Sequence, residues 1–315
     1  MGVINGEFGE KLKLKKDEMW PTLPVNSWKK TYDTLHMLTQ IVGKIRLAIT
    51  PMENHWWNST LYVTPNGLTT SVMYYNDIPF KIEFDLNKHF LIIEQAFGYV
   101  KKIPLESRPV ADYYKDIMST LESIGISLRI RSTPVEVENG IPFEKDYTHS
   151  TYDSDSANKF WRILIQSSRL FTQFRSGFLG KVSPVHFFWG AFDLAVTRFS
   201  GRRAPVHPGV PNCPQHVMVE AYSHEVSSCG LWPGGGPFEG PVYYSYSYPE
   251  PQGFKDAKVE PAGAYYEVSM GEFILPYENV RNSDSPDRSL LSFLQSTYEA
   301  AAEAAKWERI MLERQ

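Results

Sequence analysis

The stretch from residues 184 to 203, PVHFFWGAFDLAVTRFSGRR, places ionisable side chains in an otherwise apolar run. It contains His186, Asp193, Arg198 and Arg202. A plain core strand does not need such groups, because an unpaired charge is costly to bury. Histidine and aspartate can transfer protons, and guanidinium groups bind carboxylates and phosphates. We therefore predict His186 and Asp193 as catalytic residues and the two arginines as ligands for an anion.

A second histidine with candidate chemistry lies in EAYSHEVSSC. In a regular strand, Tyr222 and His224 point to one side and Glu225 points to the other. A catalytic pair of His224 and Glu225 would therefore need a bulge or a loop. We predict His224 as the third catalytic residue and Tyr222 as a wall of the ligand site.

Basic and aromatic residues of the N-terminal half complete the predicted site. Lys44 and Arg46 lie near the end of a predicted helix, and His55 comes just before a predicted strand. Together with Trp56, they are predicted to bind the ligand, as is Trp189 of the C-terminal half. The glycines of LWPGGGP do not form a Walker loop, because the sequence lacks the GK[ST] ending.

Two alternatives remain open at the level of sequence. One is a metal-dependent enzyme that uses His186, His224 and a third His or Cys, because thiolate and imidazole are ligands that zinc prefers. The spacing is only loosely finger-like, so no metal ligand is assigned and the cofactor is left open. The other is a noncatalytic sugar-binding or scaffold protein in which Trp and Tyr serve as stacking platforms. The metal hypothesis rests on a cluster in the C-terminal half: His207, Cys213, His216, His224 and Cys229.

The elements that must position these residues come in two related sets. Shifted by 133 positions, residues 28–64 match residues 161–197 at eight positions, including the pairs Trp28/Trp161 and Trp56/Trp189. A shift of 177 pairs Pro109 with Pro286 and three later residues with identical ones. The segments keep the same order in both halves. We predict an internal duplication.

Hydrophobic periodicity assigns the elements of each half. Apolar spacing of three and four predicts helices over 28–47 and 160–178, the first capped by Ser27. Strands follow each helix, an antiparallel meander completes the first half, and prolines mark the start of a closing helix. Alternation along the strands places Trp189, Asp193 and the polar residues near them on one face. We expect these faces to line a cleft between the halves.

The two shifts differ by 44 residues, which predicts an insertion in the second half at about 198–263. This segment is rich in Pro, Gly, Tyr and His. Function commonly lies on loops that a scaffold holds, so we expect the insertion to contribute to the site.

Composition limits the function classes. The 315 residues are 42% hydrophobic, and 32 basic against 36 acidic residues give a net charge of −4. This balance argues against a nucleic-acid partner, and no apolar run approaches a membrane span or a signal peptide. With only two cysteines, we expect reduced thiols and a cytoplasmic protein.

Four long blocks resemble those of a bacterial family known only as a domain of unknown function. They are TQIVGKIRLA, NHWW, SPVHFFWGAFDLAVTRFSGRRAP and AYSHEVSSCGLWPGGG, and the resemblance runs over about residues 20–310. It implies a bacterial origin and one unit that spans both halves. It implies no activity, cofactor or catalytic residue.

We therefore predict an α+β protein of two pseudo-repeats, each formed of a helix, antiparallel strands and a helix. The predicted boundaries are an N-terminal extension at 1–19, a first repeat at 20–135, a connector at 136–155 and a second repeat at 156–315. The predicted function is binding of a small anionic metabolite in a pocket lined by Trp, His and Arg. Acid–base catalysis by His is left open, as is the oligomeric state.

Overall fold

The computed structural model describes residues 15–314, so most of the predicted N-terminal extension, together with Gln315, lies outside the described residues. Helices and antiparallel sheets are mixed, which confirms the α+β class. The closing helices begin at the prolines that the sequence indicated, since Pro109 is an N-cap and Pro286 is the first helical residue. The helices are α1 (Lys16–Met19), α2 (Val25–Ile49), α3 (Val110–Ser123), α4 (Ser154–Ser176), α5 (Gln215–Ala221), α6 (Tyr277–Asn282), α7 (Pro286–Ala304) and α8 (Arg309–Leu312).

The first half forms a six-stranded antiparallel sheet in the order β1-β2-β4-β5-β6, with β3 also paired to β4. The predicted meander is present in the last three strands, where apolar and polar residues alternate. The strands are β1 (Tyr62–Val63), β2 (Gly67–Thr69), β3 (Met73–Tyr75), β4 (Ile78–Asp85), β5 (Phe90–Gln95) and β6 (Tyr99–Pro104).

The second half forms another six-stranded sheet, in the order β11-β12-β10-β9-β8-β7. Residues 198–263, where the insertion is predicted, supply β9 and β10, which are central strands, as well as α5. This segment is therefore integral to the sheet. The strands are β7 (His186–Phe188), β8 (Asp193–Arg203), β9 (His224–Trp232), β10 (Val242–Tyr248), β11 (Tyr265–Glu267) and β12 (Glu272–Pro276).

The two sheets meet at one antiparallel bridge. Leu61 and Phe187 exchange two backbone hydrogen bonds, of 2.9 and 2.8 Å. The main hydrophobic core runs from Trp20 to Trp307 and includes residues of both halves, and a smaller cluster contains Phe238, Val242, Tyr244 and Ile274. Both halves contain six strands between a long first helix and a closing helix, but in the second half α5 interrupts the strands between β8 and β9. Common ancestry of the halves stays a prediction.

The strand predicted from Trp56 is replaced by a 3₁₀ segment, Asn54–Ser59. His55 and Trp56 adopt left-handed backbone angles, with φ of 61° and 62°. Local hydrogen bonds compete with a strand ladder here, because the Ser59 hydroxyl donates to the Trp56 carbonyl at 2.8 Å. The strand that follows this segment is limited to the two residues of β1. The predicted cap at Ser27 is also wrong, because α2 begins at Val25 after Pro24.

None of the helices between residues 15 and 314 combines the length and the apolar character that a membrane crossing requires.

Candidate functional site

A cavity of about 710 Å³ lies against the second sheet. Residues of the second sheet, from β7, β8, β9, β10 and β12, form one wall. The other walls come from α2, the start of the connector, the segment Asn54–Ser59 and the region of α5. The cavity is large enough for a small organic molecule.

One face of β8, a strand paired on both sides, forms the floor of the cavity. Asp193, Ala195 and Thr197 line the cavity, whereas Leu194 and Val196 are fully buried in the core. The predicted alternation of these faces is therefore what the structure shows along β8. Thr197 also shares a hydrogen bond of 2.9 Å with Ser228 of β9.

Asp193 is held by a tyrosine from a strand that is not its neighbour. Tyr244 of β10 donates a hydrogen bond to the Asp193 carboxylate. Gly230 of β9 lies between them, paired with Ala195 on one side and Tyr244 on the other. A side chain at Gly230 would collide with the Tyr244 hydroxyl. Because glycine has no Cβ, the Tyr244 side chain can extend across β9 to Asp193.

Two further carboxyl groups line the same cavity. Glu136 lies over Gly190, where a Cβ would collide with its carboxyl group. Glu272 comes from β12. Burial raises the pKa of the Glu136 carboxyl, and burial together with the charge of Asp193 raises the pKa of Glu272 to about 7.

Burial also raises the pKa of the Asp193 carboxyl to about 7, although the hydrogen bond from Tyr244 acts in the opposite direction. A carboxyl group with such a pKa can give up or accept a proton near neutral pH. The carboxyl groups of Asp193 and Glu272 are therefore suited to proton transfer or to pairing with a cation.

Aromatic rings provide most of the remaining surface. Tyr222 and Tyr246 are joined by a hydrogen bond of 2.6 Å between their hydroxyl groups. The Trp189 indole donates a hydrogen bond of 2.7 Å to the carbonyl of Ser59, which fixes its ring against the cavity. Ten aromatic residues line the space: Tyr32, Trp56, Trp57, Phe188, Trp189, Phe199, Tyr222, Trp232, Tyr244 and Tyr246.

Five of the predicted site residues line this cavity, namely Asp193, His55, Trp56, Trp189 and Tyr222. The other six do not. No lysine or arginine is present among the cavity-lining residues of the described chain.

His186, predicted as catalytic, is buried outside the cavity lining. Its ring lies 5.6 Å from those of Trp57, Tyr62 and Phe188, measured between centroids, and neither ring nitrogen has a partner among residues 15–314. Burial, followed by the charge of Arg46, lowers the pKa of His186 to about 3. The imidazole is therefore neutral at ordinary pH.

Arg198, predicted to bind an anion, is instead a core residue on the other face of β8. Its guanidinium lies 3.5 Å from the ring centroid of Phe174 and 4.3 Å from that of Tyr298, and it donates to the Phe174 carbonyl. Cation–π contacts and a backbone acceptor stabilise this buried charge.

The other predicted cationic ligands also have structural partners. Lys44 donates to the carbonyls of Arg131 and Thr133, at 3.0 and 2.5 Å, and so anchors the segment before the connector. Arg46 donates to the carbonyl of Thr70. Arg202 pairs with Glu225 at 2.7 Å and donates to the carbonyl of Ala305 at 2.6 Å. The convergence of these groups on one anion is not observed.

His224 lies beside the cavity rather than in its lining. Its ring centroid is 5.9 Å from that of His55. Glu225, the next residue, pairs with Arg202, so the two neighbours do not form a catalytic pair. Among residues 15–314, no group of three or more His, Cys, Asp or Glu side chains is placed to hold a metal ion.

Several cavity residues were not found from the sequence. The alternating tyrosines of VYYSYSY could have indicated Tyr244 and Tyr246, because β10 is a regular strand. Glu136 and Glu272 gave no signal, since each is a single acidic residue. His36 lies within a helix, where its Nε2 donates to the carbonyl of Gly190 at 2.8 Å and burial lowers its pKa to about 4.

The match to known families covers nearly the whole chain. Residues 20–314 match the model of a family of unknown function, DUF5996. The chain belongs to DUF5996. This confirms the resemblance to a domain of unknown function, and the DUF5996 unit includes both sheets and all the cavity-lining residues. No curated protein and no solved structure matches this DUF5996 chain.

Proposed function

We propose that the protein binds a small organic molecule that carries an amine or another cationic group, and that this molecule occupies the aromatic cavity against the second sheet. The observation that carries the proposal is the charge of the lining. Asp193, Glu136 and Glu272 face one space that contains no basic side chain from a lysine or arginine of the described residues. The anionic ligand expected from the sequence depended on arginines that are engaged elsewhere.

The three carboxyl groups have no cationic partner among the residues that the structure describes. Asp193 accepts a hydrogen bond from Tyr244, and no salt bridge within residues 15–314 involves Glu136 or Glu272. Buried charges are ordinarily paired, and a buried unpaired carboxyl group stays protonated instead. An ammonium group would supply the missing partner.

Aromatic walls favour the same class of ligand. A cation over the face of Trp or Tyr is attracted by the ring quadrupole, most strongly where water is excluded. Trp56, Trp189 and Tyr222 lie in the lining with the carboxyl groups. This combination supports a ligand that has a positively charged head and an apolar body.

Three probes of nearly equal shape test the proposal: hexylamine, hexanol and hexanoate. Binding is measured by calorimetry at pH 7.5. We expect hexylamine to bind at least about ten-fold more tightly than hexanol, because only the ammonium pairs with the carboxylates, and hexanoate to bind most weakly. Tighter binding of hexanoate than of hexylamine would overturn the proposal.

Proton exchange gives a second test. The pKa values of Asp193 and Glu272 are raised to about 7, so at pH 6 the free protein holds protons that a bound ammonium would displace. Calorimetry at pH 6 in buffers of different ionisation enthalpy should show net proton release. Asp193→Asn should reduce this release, whereas Asp155→Asn, on the exposed start of α4, should not.

A further inference from the structure

A group of basic side chains lies at the other end of β8 from Asp193. Phe199 follows Asp193 by six residues on the cavity side of β8, a separation of roughly 20 Å at the rise of a strand. The Lys181 ammonium lies 4.9 Å from the Phe199 ring centroid and 5.2 Å from that of Trp57. Lys181 is not itself a lining residue, so this basic group lies beside the cavity, at the end away from the carboxyl groups.

Hydrogen bonds fix the geometry of Lys181 and His55. Lys181 Nζ lies 2.7 Å from His55 Nε2, and His55 Nδ1 lies 2.9 Å from the carbonyl of Ala221. A lysine ammonium can only donate, so Nε2 is the acceptor and Nδ1 carries the hydrogen that it donates to Ala221. One N–H of Lys181 is thereby used, and the side chain remains exposed to solvent.

Two more basic side chains face the same region. The His224 ring centroid is 5.9 Å from that of His55. Arg203 is the cross-strand partner of His224, past an irregularity in β8 that follows Phe199. Directly paired residues of antiparallel strands project to the same side, so the side chain of Arg203 projects on the side of His224. No salt bridge within residues 15–314 joins any of these four side chains to a carboxylate.

We propose that Lys181 and His55, with His224 and Arg203 beside them, form a binding site for the oxygen atoms of a carboxylate or phosphate group. The free N–H groups of Lys181 donate to the anion, and the hydrogen bond to His55 holds the ammonium in place. Burial lowers the pKa of His55, and the neighbouring Lys181 and His224 lower it further, which supports the neutral acceptor form. The site is tested separately from the amine proposal with free anions, and the comparison of hexylamine with hexanoate is repeated on Lys181→Met so that a carboxylate bound here is not counted against the amine proposal.

The experiment follows the ring signals of His55 and His224 in protein labelled at histidine, by NMR, at pH 7.5 and constant ionic strength. Sodium acetate and inorganic phosphate are titrated separately, so that the two sources of oxygen ligands are distinguished. We expect at least one anion to shift both histidines along a saturating curve. Shifts that increase linearly for both anions in the wild-type protein would overturn the proposal without any variant.

Lys181→Met keeps the apolar stem on Trp57 and Phe199 but removes the charge. We expect it to weaken the saturating response about ten-fold or more, as loss of a charge-assisted hydrogen bond requires. Lys159→Met, on α4 and paired with Asp155, is the matched control and should leave the curve unchanged. Lys181→Arg should retain binding. Equal curves for Lys181→Met and wild type would overturn the assignment, and hexylamine binding by Lys181→Met shows separately whether the cavity proposal holds.

Discussion

Tyr244 reaches Asp193 by crossing over Gly230, so that a hydrogen bond joins residues of β10 and β8 although β9 lies between the strands. The sheet can place its buried carboxyl group and its tyrosine in contact only because the intervening residue has no side chain. This relationship fixes the orientation of Asp193 in the cavity. It also identifies a glycine whose role is steric rather than conformational.

Gly230→Ala should therefore disrupt the cavity. The added methyl group would collide with the Tyr244 hydroxyl, and the ring would have to move away from Asp193. We expect a loss of about 1–3 kcal/mol in the free energy of unfolding, measured with urea, and weaker hexylamine binding. Gly240→Ala is the control, because its nearest neighbouring atom would be 4.0 Å from the new methyl group. Equal stability of Gly230→Ala and wild type would contradict the crossing geometry.

Asp193→Asn should change how stability depends on pH. In the folded protein the pKa of Asp193 is raised to about 7, above its ordinary value near 4, so the native state holds a proton that the unfolded chain has lost. This stabilisation is complete below pH 4 and is lost as the pH rises to 7. Asparagine has no such loss, so the variant should gain stability relative to wild type by a few kcal/mol between pH 4 and pH 7.

The stability of Asp193→Asn is compared with that of wild type at each pH. This is needed because the lowered pKa values of His36 and His186 make both proteins more stable as the pH rises, which is opposite to the effect of Asp193. Urea unfolding at pH 4.5 and pH 7.5 measures the stability. Tyr246→Phe removes a hydroxyl group from the same wall and no carboxyl group, so its difference from wild type should not change with pH. A constant difference for Asp193→Asn would show that Asp193 ionises normally.

The sequence predicted the secondary structure of this protein better than the residues of its candidate site. Hydrophobic periodicity located α2, α4 and the meander, because each buries one regular stripe or face, and prolines marked the starts of the closing helices. Alternation along β8 likewise placed Asp193 with Thr197. These features depend on local spacing, which a single sequence records.

The composition of the site depends instead on contacts between distant segments. Glu136 and Glu272 are separated by more than a hundred residues, and nothing near either one indicates that both face Asp193. The chemistry of its guanidinium group predicts Arg198 as an anion ligand, whereas the three aromatic rings that surround it come from α4, the residues after α4, and α7. The sequence does not indicate the 3₁₀ segment, because its residues fit the alternation of a strand. The local hydrogen bonds that favour the 3₁₀ conformation leave no periodic pattern in the sequence.

His186→Phe tests whether His186 is catalytic or a core residue. Neither ring nitrogen has a hydrogen-bond partner within the described part of the chain, so phenylalanine would remove unsatisfied polar atoms from an aromatic environment. The pKa of His186 is lowered to about 3, so wild type loses stability as the pH falls below the unfolded value of about 6.5. The variant should be at least as stable as wild type at pH 7 and gain up to about 2 kcal/mol more at pH 5. Loss of hexylamine binding with unchanged stability would instead indicate a role in the site.

Arg198→Met tests the reassignment of a predicted ligand-binding residue to the core. The substitution keeps much of the side-chain volume but removes the hydrogen bond to the Phe174 carbonyl and the cation–π contacts with Phe174, Phe178 and Tyr298. We expect a loss of about 2–4 kcal/mol in the free energy of unfolding.

Arg203→Met is the matched control for Arg198→Met. Arg203 is exposed at the end of β8, so its substitution should change stability by less than about 0.5 kcal/mol. Hexylamine affinity is measured on both variants under conditions in which each is fully folded. Because Arg198 faces the core and not the cavity, its loss should leave that affinity unchanged. A large fall in affinity with little change in stability would return Arg198 to the ligand site, and a stability equal to that of Arg203→Met would show that the aromatic rings do not stabilise the guanidinium.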